Sequence, residues 1–388
     1  MKHNFNAGPA ILPEYTIQKS IEAIQDFNGS GLSLLCISHR SKDFDKVMDD
    51  AIAMTKKLLD IPEGYSVLFV GGGATTQFYN VPFNFFGKKA AYLDTGTWPS
   101  GAIREAKIWG EPEVVASSSD KKYNYIPRGY TIPADADYFE ICSNNTIEGT
   151  EIFEDFDSPA PLISDMSSDI FSRPVDISKY SLIFAGAQKN FAPAGVTMVI
   201  IKDSFMEKQV RKVPTLSNYK KLAEKKSMFN TPPVFPIFAG LKTMEWIEAE
   251  GGVKEMEKRA IARSTKVYDA LEASKFFVPN IPDPRDRSRM NITFSMKPGY
   301  EELGADFLSL SKERGCVGLA GHRSVGGFRA SCYNALPMES VDTLVALIKE
   351  FEDIRFMKDI WMLYLRDDRV TQRNIPTRLC TYTSKNFK

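Results

Sequence analysis

The chain reads as an α/β protein built on a mainly parallel sheet. Six short apolar runs, at 67–70, 90–93, 138–142, 162–164, 182–185 and 196–201, are each bounded by Gly, Pro, Asn or Asp. The runs are apolar on both faces, the pattern of strands covered on both sides, which is the habit of parallel sheets. Segments with helical spacing flank them, and 388 residues suffice for two domains and a large core.

In chain order, Ile17, Ile21 and Ile24 recur at helical spacing, and Phe44, Val47, Met48, Ala51 and Ile52 do so again. The six strand runs follow. After Pro232-Pro233, Ile237, Leu241, Met244 and Ile247 mark a long helix that Gly251-Gly252 ends. Met256, Ala260, Val267 and Leu271 mark another. Two strand candidates, 290–294 and 327–332, precede a helix through Val341, Leu344, Val345 and Ile348. The glycine pair sets the expected boundary between a large domain, 15–252, and a smaller one, 253–352. Ile354, Met357, Trp361 and Tyr364 keep helical spacing, so the last helix is expected to extend into an unusual 353–388 extension. From Arg366 the chain is polar, basic and without period, and loose order is expected there.

Bulk chemistry excludes several classes. Lys and Arg total 49, as do Asp and Glu, so no net charge draws the chain to nucleic acid or an acidic membrane. No apolar run approaches the ~18 residues of a membrane span. The first residues carry no apolar leader, and Cys36, Cys142, Cys316, Cys332 and Cys380 show no Cys-x-x-Cys spacing. The expectation is a cytoplasmic protein with reduced thiols and no metal site.

Lys189 is the most informative residue. It lies between two buried-strand patterns, where lysine is rare unless paired. A desolvated amine has a lowered pKa and can attack an aldehyde. Asp165, 24 residues upstream, ends another apolar run. A lysine for a Schiff base and an acid for a pyridine nitrogen are what pyridoxal phosphate needs. A purely structural Asp–Lys ion pair accounts for the same two residues.

Gly71-Gly72-Gly73 follows the 67–70 run and precedes Ala74-Thr75-Thr76. Glycines there admit close approach, and the next helix would offer free N–H groups to one phosphate; a plain glycine turn is the alternative. His39-Arg40 and His322-Arg323 are two His-Arg pairs, and Arg329 follows closely among glycines. Such donors together suit a dianionic substrate, although each pair alone more often marks a surface or salt-bridge feature. Trp98, after the 90–93 run, can stack on an aromatic ring or fill a core. Thr146, after 138–142, can donate to a ring substituent or cap a helix.

Together these stretches resemble the phosphoserine aminotransferases, fold-type-I enzymes dependent on pyridoxal phosphate. The resemblance rests on Phe5-Asn6-Ala7-Gly8-Pro9, Ile37-Ser38-His39-Arg40-Ser41, the 71–78 loop, Ser167-Ser168-Asp169-Ile170-Phe171, Gly186-Ala187-Gln188-Lys189-Asn190, Phe229-Asn230-Thr231-Pro232 and Gly321-His322-Arg323-Ser324-Val325-Gly326-Gly327-Phe328-Arg329. It implies a seven-stranded sheet, a smaller α+β domain, and a 1–14 segment packed near the active site. Lys189 would carry the cofactor and Asp165 would pair with its ring nitrogen. Trp98 would stack on the ring, and Thr146 would bond its phenolic oxygen. Ala74, Thr75 and Gln188 would hold the phosphate, with Asn230 and Thr231 reaching it from the other subunit of a homodimer. Arg329 would take the substrate α-carboxylate. His39, Arg40, His322 and Arg323 would take the distal phosphate or the γ-carboxylate. Thr75 stands where relatives often carry Arg or Ser, a change that a backbone contact tolerates.

The implied reaction exchanges an amino group between glutamate and 3-phosphohydroxypyruvate, giving 2-oxoglutarate and O-phospho-L-serine. The resemblance also admits the phosphorylated threonine precursor of pyridoxine as a second substrate. A cysteine desulfurase would need a reactive loop cysteine and usually a histidine where Gln188 stands. A catalytically dead regulatory protein would have no need of Lys189 and Asp165.

Overall fold

A computed structural model describes residues 2–366. Strand β1 (His3–Asn4) leads into α1 (Glu14–Gln25) and α2 (Lys42–Leu58). Then come β2 (Tyr65–Gly71), α3 (Thr75–Phe85), β3 (Ala90–Asp94), α4 (Thr97–Ala106), β4 (Glu113–Ser117), β5 (Tyr138–Cys142), β6 (Leu162–Asp165), β7 (Leu182–Gly186) and β8 (Val196–Lys202). The short α5 (Asp203–Met206) and α6 (Tyr219–Glu224) precede α7 (Val234–Ala249) and α8 (Gly252–Ala273). The rest comprises β9 (Phe277–Pro279), β10 (Asn291–Met296), α9 (Gly304–Glu313), β11 (Cys316–Val317), β12 (Phe328–Ser331) and α10 (Met338–Arg366).

Seven strands form one sheet in the order β2-β8-β7-β6-β5-β3-β4. Only β8 runs against its neighbours. Helices cover both faces, which explains why the runs are apolar on both sides. Phe69, Leu93, Phe139, Ile141, Ile183 and Met198 face α2 and α7. Leu68, Tyr92, Tyr138, Ile163, Phe184 and Val199 face α3, α4 and α6. Strand β4 lies at the edge, and its sequence Glu-Val-Val-Ala-Ser is half exposed. It therefore lacks the apolar run that marks the other six.

Helix α1 has the expected period but the opposite face. Ile17, Ile21 and Ile24 are exposed, while Thr16, Ser20 and Ala23 are buried. A polar contact decides this: Thr16 Oγ1 lies 2.9 Å from Thr243 Oγ1 on α7.

The smaller core gathers around an antiparallel sheet, β12-β10-β9. Phe277, Phe294, Phe307 and Phe328 pack there with ring centroids 4.7–6.3 Å apart. Truncating one to Ala would cost roughly 3–5 kcal/mol. Helix α8 carries residues of both cores: Val253 and Met256 pack in the larger, Val267 and Leu271 in the smaller. The chain start belongs to this half too, since β1 pairs in parallel with β11 and Phe5 is fully buried in its core. Helix α10 continues through Ile354 and Met357 to Arg366, the expected extension. The expectation of loose order, like Cys380, falls on 367–388, outside the described residues. Among the described residues, no helix is long and apolar enough to cross a membrane.

Candidate active site

The site lies at the carboxyl ends of the parallel strands, where open α/β sheets gather ligand-binding groups. Asp165 is the last residue of β6, Lys189 follows β7, Trp98 follows β3, and Thr146 follows β5. Their separation in sequence is the result of sheet order: β3, β5, β6 and β7 are neighbours in space.

Lys189 is half-buried, and its Nζ donates to Thr146 Oγ1 at 2.6 Å. Thr146 donates its own proton to Ser168 Oγ at 3.0 Å, and Ser168 donates to the Asn144 carbonyl at 2.8 Å. Thr146 is thus fixed by a chain of buried hydroxyls. Burial lowers the Lys189 pKa, and nearby Asp165 opposes that. The neutral amine is the nucleophilic form, so this environment favours attack on an aldehyde. Asp165, 6% exposed, is raised by burial and lowered by Lys189 and Ser167. The Ser167 N–H donates to Asp165 Oδ1 at 2.9 Å. The carboxylate is therefore costly by itself and best satisfied by a cation that faces it.

Lys189 Nζ lies 5.4 Å from the centre of the Trp98 ring. Gly96, just before Trp98, is required by close approach. A Cβ there would stand 2.6 Å from both Asn145 Oδ1 and Glu148 Oε2. Thr97 opens α4 by donating its N–H and Oγ1 to Glu148 Oε1, at 2.9 and 2.6 Å.

The Gly-rich loop delivers the start of α3 to the same place. Ala74 is its N-cap and Thr75 its first residue. Thr76 bonds back to the Gly73 carbonyl through both N and Oγ1. Among the described residues, no hydrogen bond engages the N–H of Ala74 or Thr75. These are free donors at the positive end of a helix dipole. Gly186 keeps the space beside them open: a Cβ there would stand 3.0 Å from Gln188 Oε1 and 3.2 Å from Ala74 Cβ. The amine, the acid, the indole face and the free N–H groups fit a phosphorylated pyridine aldehyde.

The smaller half supplies Arg329 from β12. Its Nη1 donates to the Thr146 carbonyl at 2.9 Å, and its buried Nε has no partner. His322 and Arg323 lie in the turn before β12. The His322 ring bonds Ser324 Oγ at 2.6 Å, and burial raises the pKa of Glu148 against the hydrogen bonds from Thr97. Arg323 is exposed. The chain start closes one side, with Ala10 N bonded to the Gln188 carbonyl at 2.9 Å and Tyr333 Oη to the Ala7 carbonyl at 2.8 Å.

Four expected site residues stand apart in the single chain. Arg40, Asn230 and Thr231 are exposed, and buried His39 Nε2 has no partner. No hydrogen bond or ion pair among the described residues joins any of the four to Lys189, Asp165 or Arg329. Sequence reasoning passed over Asn144, Ser168 and Glu148. Their signal was present in two polar stretches at strand ends, 143–148 and 167–169, each buried despite its polarity.

A doubly covered sheet, a lysine of lowered pKa after β7 and an acid at the end of β6 define a transaminase-like site. The chain belongs to the aminotransferase class-V family, whose description matches residues 2–344. It is 58% identical to the phosphoserine aminotransferase of Phocaeicola vulgatus over 91% of this chain and 99% of that one. The phosphoserine aminotransferase of Bacteroides thetaiotaomicron is 59% identical over the same shares. Among solved structures, the phosphoserine aminotransferase of Bacillus circulans subsp. alkalophilus matches with TM-score 0.88 and 40% identity, over 92% of this chain and 99% of that one. The pyridoxal phosphate-bound enzyme from Trichomonas vaginalis matches with TM-score 0.87 and 39% identity, over 90% of this chain and all of that one.

Proposed function

We propose that this chain is a pyridoxal phosphate-dependent phosphoserine aminotransferase. It moves an amino group between glutamate and 3-phosphohydroxypyruvate and yields 2-oxoglutarate and O-phospho-L-serine. The observation that carries the reading is the meeting of Lys189, Thr146 and Arg329 within hydrogen-bond reach. Identity of 50–59% to phosphoserine aminotransferases supports the substrate class. Residues 15–252 hold the cofactor, and 253–352 bring the substrate arginine.

The cofactor supplies an aldehyde for the amino group and a protonated ring that accepts electrons from the substrate α-carbon. Lys189 attaches it, and Asp165 holds the ring nitrogen charged. Trp98 covers one ring face. Thr146 Oγ1, released by Lys189 Nζ, would turn its proton from Ser168 Oγ toward the phenolic oxygen. The free N–H groups of Ala74 and Thr75, with Gln188, receive the phosphate. Lys189, as a neutral amine, would be placed to take the substrate α-proton and return it on the cofactor side.

Arg329 binds the substrate α-carboxylate, and its unpartnered Nε is the donor left for it. His322 and Arg323 receive the distal anion. His39, Arg40, Asn230 and Thr231 complete the site of the partner subunit in a homodimer. Exposed Leu32, Leu35 and Phe229 flank these residues and would be covered by that assembly. The four described cysteines are free, which suits a reducing, cytoplasmic setting.

The test is a coupled assay with phosphoserine and 2-oxoglutarate against unphosphorylated serine. Wild type should be yellow and turn over phosphoserine far faster. Lys189→Ala should lose turnover and the borohydride-reducible linkage. Retention of that linkage in Lys189→Ala would assign the cofactor to another lysine.

A further inference from the structure

Glu140 sits in the middle of β5, 4% exposed, on the sheet face packed by Tyr92, Tyr138 and Phe184. A carboxylate in such surroundings is expensive unless it is paired. Its buried Oε2 has no hydrogen-bond partner among the described residues. Strand register places it beside Tyr92 on β3 and Ile163 on β6, while Cys142 pairs with Asp165. Glu140 and Asp165 are therefore diagonal neighbours on one face, with Cβ atoms within roughly 8 Å. Both line a void of about 10 Å³, together with Phe78, Tyr92, Trp98 and Cys142. That volume is at the lower limit for one water.

We propose that Glu140 is a positioning residue for Asp165: it keeps the one proton of the pair and offers it, directly or through a single water in the void, to the Asp165 carboxylate. Asp165 then remains the anion that faces the cofactor ring nitrogen. This rests on the role proposed for Asp165 above.

The charges around the pair agree. Burial and the Asp165 charge push the Glu140 carboxyl well up, so it is the member that stays neutral. Asp165 is raised less, because Lys189 and Ser167 favour its ionised form. The other titratable groups facing Glu140 are Tyr92, Tyr138 and Tyr219, all raised by burial. Cys142 is raised as well. None of these is charged at neutral pH, so Asp165 is the charge that Glu140 meets. Tyr92 and Tyr138 bond each other at 2.5 Å. The arrangement leaves the acid proton of Glu140 free to point toward Asp165.

The test compares Glu140→Gln with Glu140→Met in the holoenzyme. The first readout is the pH titration of the visible band of cofactor bound at Lys189. Glutamine is neutral and keeps a donor, so its midpoint should stay near wild type. Methionine removes the donor and makes Asp165 more basic, so the proton shared with the ring nitrogen shifts toward the carboxylate, the ring loses charge, and the midpoint should rise by roughly one unit. Equal shifts in both variants would mean that an ionised Glu140 acts, and no shift in either would leave it a space-filler; both outcomes overturn the proposal. The second readout is the infrared difference between wild type and Glu140→Gln at neutral pH. A protonated carboxyl band must be lost in the variant, and absence of that band from wild type rejects the proposal even if Glu140→Met does not fold. Loss of the visible band in wild type itself would instead reject the cofactor reading.

Discussion

Arg329 Nη1 reaches the carbonyl of Thr146 at 2.9 Å, across 183 residues of chain. That hydrogen bond couples β12 of the smaller half to the loop after β5, which also holds Lys189. The substrate-side arginine and the cofactor-side lysine are thus aligned through one residue, Thr146, whose side chain serves one and whose backbone serves the other.

This alignment separates two arginines. Arg329 is half-buried at the centre, and Arg323 is exposed on the preceding turn. Arg329→Ala should lower kcat/KM for every amino-acid substrate, since all carry an α-carboxylate. Arg323→Ala should lower kcat/KM for phosphoserine by roughly ten- to a hundredfold, the loss of one charge-assisted hydrogen bond. It should affect serine far less. Steady-state kinetics with phosphoserine, glutamate and serine check this, and equal losses on phosphoserine and serine in Arg323→Ala would remove it from the phosphate site.

A shared site is the second expectation. His39, Arg40, Asn230 and Thr231 make no hydrogen bond or ion pair with the Lys189 cluster within one chain. If they serve the partner subunit, Lys189→Ala and Arg40→Ala fail in different halves of the same site. Mixing the two inactive variants should restore part of the activity, because one site of the mixed dimer is intact. Full activity in a demonstrably monomeric, dilute sample would sink this expectation.

The sequence disclosed the sheet where burial was two-sided and concealed it where burial was not. The runs at 138–142 and 182–185 sit between two helical layers, so every residue is apolar or buried. Edge strand β4 is half exposed and carries no such mark. In α1 the period was legible but the buried face was not, because Thr16 and Ser20 satisfy their hydroxyls against Thr243 and the Thr16 carbonyl. At the candidate site, Lys189 and Asp165 stood out as charges ending apolar runs. Glu140 did not, because one acid in the middle of a run reads as an interruption. Its diagonal relation to Asp165 exists only once β5 pairs with β6.

The seam between the halves yields a prediction about pH. Glu151 is 2% exposed, and its Oε2 accepts the Arg289 N–H at 2.7 Å. Its backbone N–H donates to the Asp286 carbonyl at 2.9 Å, so it ties the two halves together. Burial, then the Asp169 charge, push its pKa up to about 8, against the pull of Arg173 and Arg289. In the unfolded chain the carboxyl ionises near its ordinary value of 4.5. Between these two values the folded state holds the proton that the unfolded state has lost. Stability from this group is therefore complete below about pH 4.5 and falls as pH rises through about 8. Asp169 is raised to about 6 and loses most of its effect lower in the range. Between about pH 6.5 and 8.5, wild type should lose up to about 2 kcal/mol of stability from Glu151. Glu151→Gln, which keeps the shape and an acceptor for Arg289, should show a flatter profile. Urea unfolding midpoints across that window measure it, and parallel profiles for wild type and variant would show that Glu151 is ionised in both states.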